Sequence, residues 1–156
     1  IPLANAVSAT TAHFIRPSDE RVETLIPAVE KTFGINMTIE GYREWDDKTR
    51  NQGTYALQAI ISFFSWILMF IGSVTMINKS SKGPMRSIYG TFVWLIGGVT
   101  ITNLRRSIVV DGGPNQTSRI FADIIVISLK IVILLVLILV HFNLNRPPKH
   151  HRDLMK

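Results

Sequence analysis

Residue types that commonly carry chemistry are sparse in this chain, and their spacing suits none of the familiar reactions. The chain has no cysteine, so a thiol nucleophile, a zinc–thiolate site and a disulfide are all excluded. The four histidines do not stand beside a glutamate at the helical spacing of a metal site; they are His13, His141, His150 and His151. No phosphate-binding glycine loop or nucleophile elbow is present. The sequence therefore argues against an enzyme and gives no reason to expect a metal or a cofactor at these residues.

Two charged residues interrupt the last long aliphatic run of the chain. Between Ile120 and Asn145 the only charges are Asp123 and Lys130. An ammonium group in hydrocarbon is costly unless it meets water or a polar partner, so Lys130 is a functional candidate. Asp123 lies two helical turns earlier, about 10 Å along the axis, which is too far for an ion pair within one helix. Either Lys130 pairs with the Asp123 of a neighbouring copy, or it reaches a polar pocket in its own bundle.

A second group of charges forms a short basic stretch between two apolar runs. Its bases are Lys79, Lys82 and Arg86, and no acid stands between residues 78 and 87. The pair Gly83-Pro84 predicts a turn, with the proline near the first position of the next helix. Glycine permits close helix approach in lipid, and the next run carries Gly90, Gly97 and Gly98. The pattern predicts a tight helical hairpin with a basic tip.

Three apolar stretches are long enough to cross a bilayer, which needs roughly 20 apolar residues in a helix. They run over about 55–77, 87–104 and 117–143. The predicted fold is all-α, with three transmembrane-type helices, a short amphipathic N-terminal helix and a basic C-terminal tail. The chain divides into a polar, acidic N-terminal region (1–54), the hairpin (55–104), a polar loop (105–118), the third helix (117–143) and the basic tail (144–156).

The N-terminal region contains one amphipathic segment. Ser18 can cap a helix whose apolar stripe is Val22, Leu25, Ile26, Val29 and Phe33, with Pro27 expected to kink or interrupt it. The stripe can pack against neighbouring protein, lie in the membrane interface or dock on another subunit. Because so few residues precede the first span, contact with a partner or the bilayer is favoured.

Charge predicts the orientation in the membrane. The chain carries a net charge of +6, yet residues 1–54 hold more acids than bases, so the surplus of bases lies after residue 54. Lysine and arginine in short loops prefer the cytoplasmic side. The basic tip and the tail are therefore expected in the cytoplasm, with the N-terminal region and the 105–118 loop outside. Arg105 and Arg106 are exceptions. The first residue is Ile, which suggests a removed signal peptide.

The basic hairpin tip and the glycine-containing helices resemble the pilin-like subunits of conjugative and type IV secretion systems. The run Lys82-Gly83-Pro84-Met85 before an apolar helix also resembles small membrane subunits of I-type conjugation and Dot/Icm-like systems. The acidic N-terminal region, the third span and the basic tail depart from the two-helix pilin pattern.

This resemblance implies a structural subunit that polymerises through its hydrophobic helices and binds phospholipid. It implies lipid- or lumen-facing roles for Lys79, Lys82 and Arg86. The implied partners are further copies of the chain, phospholipid, other secretion-system membrane subunits and passing single-stranded DNA. The implied location is the bacterial inner membrane as a precursor pool, followed by an extracellular filament. Two alternatives stay open: a small oligomeric or holin-like channel with Lys130 facing water, and an accessory subunit of a secretion apparatus whose acidic region docks a periplasmic partner.

Overall fold

The computed structural model describes residues 1–33, 37–78, 80, 82–114 and 116–144, and in this part of the chain it contains helices and no strand. The helices are α1 Pro2–Phe14, α2 Asp19–Phe33, α3 Ile39–Asn51, α4 Thr54–Ile77, α5 Lys82–Arg106 and α6 Gln116–Leu144. The last three are long and apolar enough to cross a membrane. The predicted all-α class with three membrane-type helices is confirmed. The basic tail from residue 145 onward lies outside the described residues.

Helices α4 and α5 form an antiparallel hairpin with a close backbone approach. A Cβ placed on Gly72 of α4 would stand 2.6 Å from the backbone nitrogen of Ser87 in α5. A Cβ on Gly90 of α5 would stand 2.9 Å from the Ser65 carbonyl oxygen of α4. Most buried positions of the hairpin are accordingly small, with Tyr55, Trp94 and Ile101 as the large ones. The small members are Thr54, Ser62, Ser65, Gly72, Gly83, Pro84, Ser87, Gly90, Thr91 and Gly97.

Helix α5 is longer at both ends than the predicted span 87–104. It begins at Lys82, so Pro84 lies in the first turn, where a missing backbone N–H costs nothing. It continues through Arg105 and Arg106, whose side chains find partners on α4 and α6. The connecting loop is correspondingly shorter than the predicted 105–118.

Helix α6 packs against α5 and leaves most of its own surface uncovered. Its aliphatic side chains face outwards along nearly its whole described length; Ile125 is 64% exposed and Leu139 is 62% exposed. Lys130 is the exception, being buried against α5. The third membrane-type helix is thus attached along one narrow face.

Helix α1 was not predicted, and it packs along the first half of α4. Ala6 and Ala9 are buried in this contact. Leu3 and Val7 lie beside Ile60 of α4, whereas the His13 carbonyl accepts a hydrogen bond of 2.5 Å from Arg50, just before α4 begins. Helix α1 therefore runs antiparallel to α4, with its first residues alongside the membrane-type segment.

Helices α2 and α3 form a small cluster of their own. Val22 and Ile26 of α2 are buried with Met37, and Ile39 and Tyr42 pack against them. These two stripe residues are thus buried within the chain itself, while Leu25 stays exposed. The side chains of Val29 and Phe33 lie outside those that the structure describes.

Helix α2 runs unbroken from Asp19 to Phe33, so an interruption at Pro27 is wrong, while the alternative outcome of a kink there stays a prediction. A proline inside a helix leaves the carbonyl four residues earlier without its donor, here that of Glu23. Both Pro27 and Glu23 are exposed, so this carbonyl can turn to water while the buried side of α2 stays packed.

The loop between α5 and α6 docks on the start of α3. The Thr38 N–H donates a hydrogen bond of 2.8 Å to the Gly112 carbonyl, and the Thr38 side chain caps α3 by accepting from the Gly41 N–H. A Cβ on Gly41 would stand 2.2 Å from the carbonyl carbon of Gly112, whose φ of 69° favours glycine. Helix α3 and the loop therefore lie together at the same end of the hairpin.

Candidate functional site

Lys130 lies in a pocket formed by its own bundle. The side chain is buried, with 4% of the residue exposed, and its Nζ donates a hydrogen bond of 3.1 Å to the Trp94 carbonyl of α5. The same Nζ stands 4.5 Å from the centroid of the Trp94 ring, which adds a cation–π contact. Gly98 provides the space, since a Cβ there would stand 2.2 Å from Nζ. Within the single chain, Lys130 therefore reaches a polar pocket of its own bundle, and pairing with the Asp123 of a neighbouring copy stays a prediction.

Asp123 is also engaged within the chain. Its carboxylate accepts a hydrogen bond of 3.2 Å from the Thr102 hydroxyl and lies 3.5 Å from Nη2 of Arg106. Both contacts join α6 to the last turns of α5. Arg106 is one of the two bases that depart from the charge rule.

Arg105, the other exception, lies against α4. Its Nη2 donates a hydrogen bond of 2.5 Å to the Gln58 side-chain oxygen, and its guanidinium carbon stands 5.3 Å from the centroid of the Tyr55 ring. The tyrosine hydroxyl donates a hydrogen bond of 2.7 Å to Oδ1 of Asp46. This places a polar network where α4 begins, at the end of the hairpin that carries α3.

The network continues through a buried ion pair in α3. Nη2 of Arg50 lies 2.7 Å from Oδ2 of Asp46, with 13% and 8% of the two side chains exposed. Burial raises the pKa of the nearby Tyr42 hydroxyl, and the Asp46 carboxylate raises it further, while Arg21 acts in the opposite direction. Sequence reasoning missed this network, although the spacing of Asp46 and Arg50 is that of a helical ion pair.

The basic hairpin tip is described in part. Lys82 and Arg86 are both exposed, stand one turn apart at the start of α5, and share that turn with no acidic residue. Two like charges at this spacing repel one another, and they also oppose the positive end of the helix dipole. An anion bound here would relieve both effects. Lys79 lies outside the described residues.

The three glycines singled out from the sequence do not share one role. A Cβ on Gly97 would stand 2.3 Å from a methyl of Ile61, so Gly97 and Gly90 both face α4. Gly98 faces α6 and the Lys130 ammonium. The glycines of α5 thus allow close approach on two sides of the helix.

Among the described residues, no group of three histidine, aspartate or glutamate side chains could hold a metal ion. Comparisons with protein-family models, with curated proteins and with solved structures gave no match.

Proposed function

We propose that this chain is a structural subunit of a conjugative or type IV secretion assembly, a pilin-like protein that polymerises through its hydrophobic helices and binds phospholipid. The observation that carries the proposal is the outward placement of large apolar side chains. Small residues fill most of the α4–α5 contact, and most of the large apolar side chains described in the three membrane-type helices are exposed, with Tyr55, Trp94 and Ile101 as buried exceptions. The resulting apolar surface suits lipid in the membrane and other copies in an assembly.

Within this surface, the exposed aromatic side chains of α4 give the strongest support for a protein partner. Phe63, Phe64 and Phe70 are between 47% and 59% exposed. In lipid such side chains favour insertion of the helix, but lipid tails are as apolar as the side chains and so give no hydrophobic drive for helices to associate. Packing against a second copy adds dispersion contacts between close-fitting surfaces. The expected partner is therefore another copy of this chain, or another apolar subunit of the same apparatus.

The basic tip supports the lipid-binding part of the proposal. Lys82 and Arg86 are exposed and lack an acidic neighbour in the first turn of α5, so phospholipid phosphates are suitable ligands for them, together with Lys79. In a filament the same bases would line a lumen or hold lipid there, and would moderate the electric field acting on single-stranded DNA. In the membrane we place the tip and the basic tail in the cytoplasm and α2 and α3 outside, with α1 lying along the outer half of α4.

One observation weighs against the channel alternative. A channel with Lys130 facing water needs an accessible ammonium, whereas Nζ is buried against Trp94 and Gly98.

One observation supports the alternative of an accessory subunit. Helix α3 is joined by hydrogen bonds to α1 and to the 107–114 loop, and α2 packs against it through Val22 and Ile26, which gives a partner outside the membrane a defined surface to bind.

Electron microscopy of the native assembly separates these functions. A helical filament of this chain supports the proposal, a closed ring supports the channel, and an isolated bundle within a larger complex supports the accessory subunit. The sample is the untagged full chain extracted in mild detergent from cells that express the complete apparatus.

A second experiment tests the tip. Replacing Lys79, Lys82 and Arg86 together by glutamine is expected to reduce bound lipid and DNA transfer without unfolding the subunit, because Lys82 and Arg86 are exposed. The matched control is Lys48→Gln, which removes an exposed base from α3 at the other end of the hairpin. Unchanged assembly, bound lipid and transfer in the triple variant would refute the assignment.

A further inference from the structure

A cavity of about 550 Å³ lies between α1, α2, α3 and the start of α4. Its wall includes hydroxyl groups, among them those of Tyr42 and Tyr55, and apolar side chains, among them Ile15 and Leu25. We call it the head cavity. A wall of this mixed kind suits a ligand that carries both a polar and an apolar part.

The charges around the head cavity favour an anion. Arg16 and Arg21 line it, and the carboxylate in its wall is that of Asp46, which is already paired with Arg50. Arg16 has an exposed partner in Asp47 at 3.0 Å, a pair that contributes little in water. Arg21 has no ion pair among the side chains that the structure describes. One guanidinium is thus uncommitted and a second is weakly held.

The head cavity adjoins an apolar groove between α1 and α4. The groove has a volume of about 450 Å³, and its lining includes Val7, Ile60 and Phe63. Thr11 lines both the cavity and the groove, so the two border the same exposed residue of α1. A ligand whose polar part occupies the cavity would pass Thr11 to place its apolar part along α1 and α4.

The position of these sites along α4 identifies the ligand class. Tyr55, in the wall of the cavity, stands at the beginning of the span, which is the level of lipid headgroups. The groove extends to Phe63, about 12 Å further along the helix and so within the hydrocarbon of one leaflet. Guanidinium groups at the surface and an apolar groove below them match the phosphate and an acyl chain of a phospholipid.

We infer that the head cavity and the α1–α4 groove together bind one phospholipid, with its phosphate at Arg16 and Arg21 and an acyl chain against Ile60 and Phe63. This site lies at the opposite end of the hairpin from the basic tip, so it concerns the other leaflet and goes beyond the proposed function. It does not depend on whether the chain forms filaments.

Native mass spectrometry of the full chain in mild detergent tests the inference. Dioleoyl phosphatidylglycerol is titrated into the wild type and into the double variant Arg16→Gln/Arg21→Gln. Loss of the two guanidinium contacts is expected to weaken binding of one lipid per chain by about tenfold or more. Ala59→Phe, which places a large side chain in the groove, is expected to weaken the same binding event while leaving both arginines in place.

Two further arms establish which ligand and which site are measured. Inorganic phosphate alone is expected to bind more weakly than the diacyl lipid, because it makes no contact with the groove; equal affinity would refute a lipid site. Lys48→Gln and the tip variant Lys82→Gln/Arg86→Gln are expected to retain the head-bound lipid. If the tip variant loses this lipid and the Arg16/Arg21 variant keeps it, the inference fails while lipid binding at the tip stands. Circular dichroism checks folding, and Arg16, 72% exposed in its side chain, is not required for packing.

Discussion

At the scale of single residues, burial separates ion pairs that the sequence cannot tell apart. Helix α3 holds two pairs with the same spacing, Asp46–Arg50 and Glu44–Lys48. The first is nearly enclosed and its carboxylate also accepts a hydrogen bond from Tyr55, whereas about half of each side chain in the second is exposed. Removing one member of a buried pair leaves the other charge buried without a partner, whereas removing one member of an exposed pair leaves the other charge hydrated.

Alanine substitutions should show this difference directly. Asp46→Ala is expected to cost about 3 kcal/mol of unfolding free energy because it leaves Arg50 buried and unpaired. Glu44→Ala is expected to cost less than about 0.5 kcal/mol. Tyr55→Phe removes one hydrogen bond and should cost about 1 kcal/mol. Denaturant titration of the chain in micelles measures all three, and equal losses for Asp46→Ala and Glu44→Ala would contradict the buried network.

Gly98 and Lys130 should behave as a coupled pair. Gly98→Ala places a Cβ where the Lys130 ammonium lies, so the lysine must move away from the Trp94 carbonyl at a cost of about 1–3 kcal/mol. In a Lys130→Met background the ammonium is gone and the same alanine is expected to cost much less. The double-mutant cycle is measured by thermal unfolding in detergent.

Gly97→Ala is the matched control for that cycle. Its Cβ would meet Ile61 of α4 rather than Lys130, so its cost is expected to be the same in both backgrounds. If Lys130→Met relieves both alanine substitutions equally, the contact between Gly98 and Lys130 is not the cause.

At the scale of the helices, the sequence predicts best where the bilayer sets the length. Helices α4, α5 and α6 were anticipated because a bilayer-length run of apolar residues is visible without knowledge of contacts. Helix α1 was missed because its alanines and threonines form no strong apolar stripe, and its buried side is defined by α4. The predicted second span ended too early because Arg105 and Arg106 look like the end of a span until their partners are known.

The residues of the Lys130 pocket and of the polar network could be predicted from the sequence only in part. A charged lysine in hydrocarbon has a high free energy cost, so Lys130 can be singled out from the sequence alone. Its partner is a backbone carbonyl, which every residue possesses, so no side-chain pattern could point to Trp94. The same limitation applies to Arg50, whose bond to the His13 carbonyl joins distant parts of the chain.

The outer surface of α6 can be compared with the surface of α5 against which α6 packs. Leu139→Ala, on the exposed side, is expected to change the unfolding free energy of the single chain by less than about 0.5 kcal/mol. Trp94→Ala empties the α5 surface on which α6 rests and should cost about 3–5 kcal/mol. Thermal unfolding in micelles measures both. If Leu139→Ala instead destabilises the isolated chain as strongly as Trp94→Ala, Leu139 is packed within the subunit and its outward placement is wrong.

At the scale of the whole molecule, the hairpin separates two chemically different ends. One end carries α1–α3, the 107–114 loop and a polar network, and the other carries the basic tip. Because α3 and the loop contact each other, both must lie on the same side of a membrane. In the orientation proposed above, that side is the exterior.

Single cysteines can test this arrangement because the chain has none of its own. With a membrane-impermeant maleimide on intact cells, Lys48→Cys and Asp111→Cys are expected to react together, and Ser80→Cys is expected to react after permeabilisation. The reverse pattern would invert the orientation and leave the fold intact. Reaction of Lys48→Cys without Asp111→Cys would contradict the contact between α3 and the loop.

The buried lysine also bears on how the protein is made. As the ribosome-bound chain emerges, α5 precedes α6, so the carbonyl of Trp94 and the gap left by Gly98 are in place when Lys130 arrives. Without α5 that ammonium would lack both partners and would carry its charge in an apolar environment, which is costly. Lys130 therefore depends on a helix that is synthesised before its own.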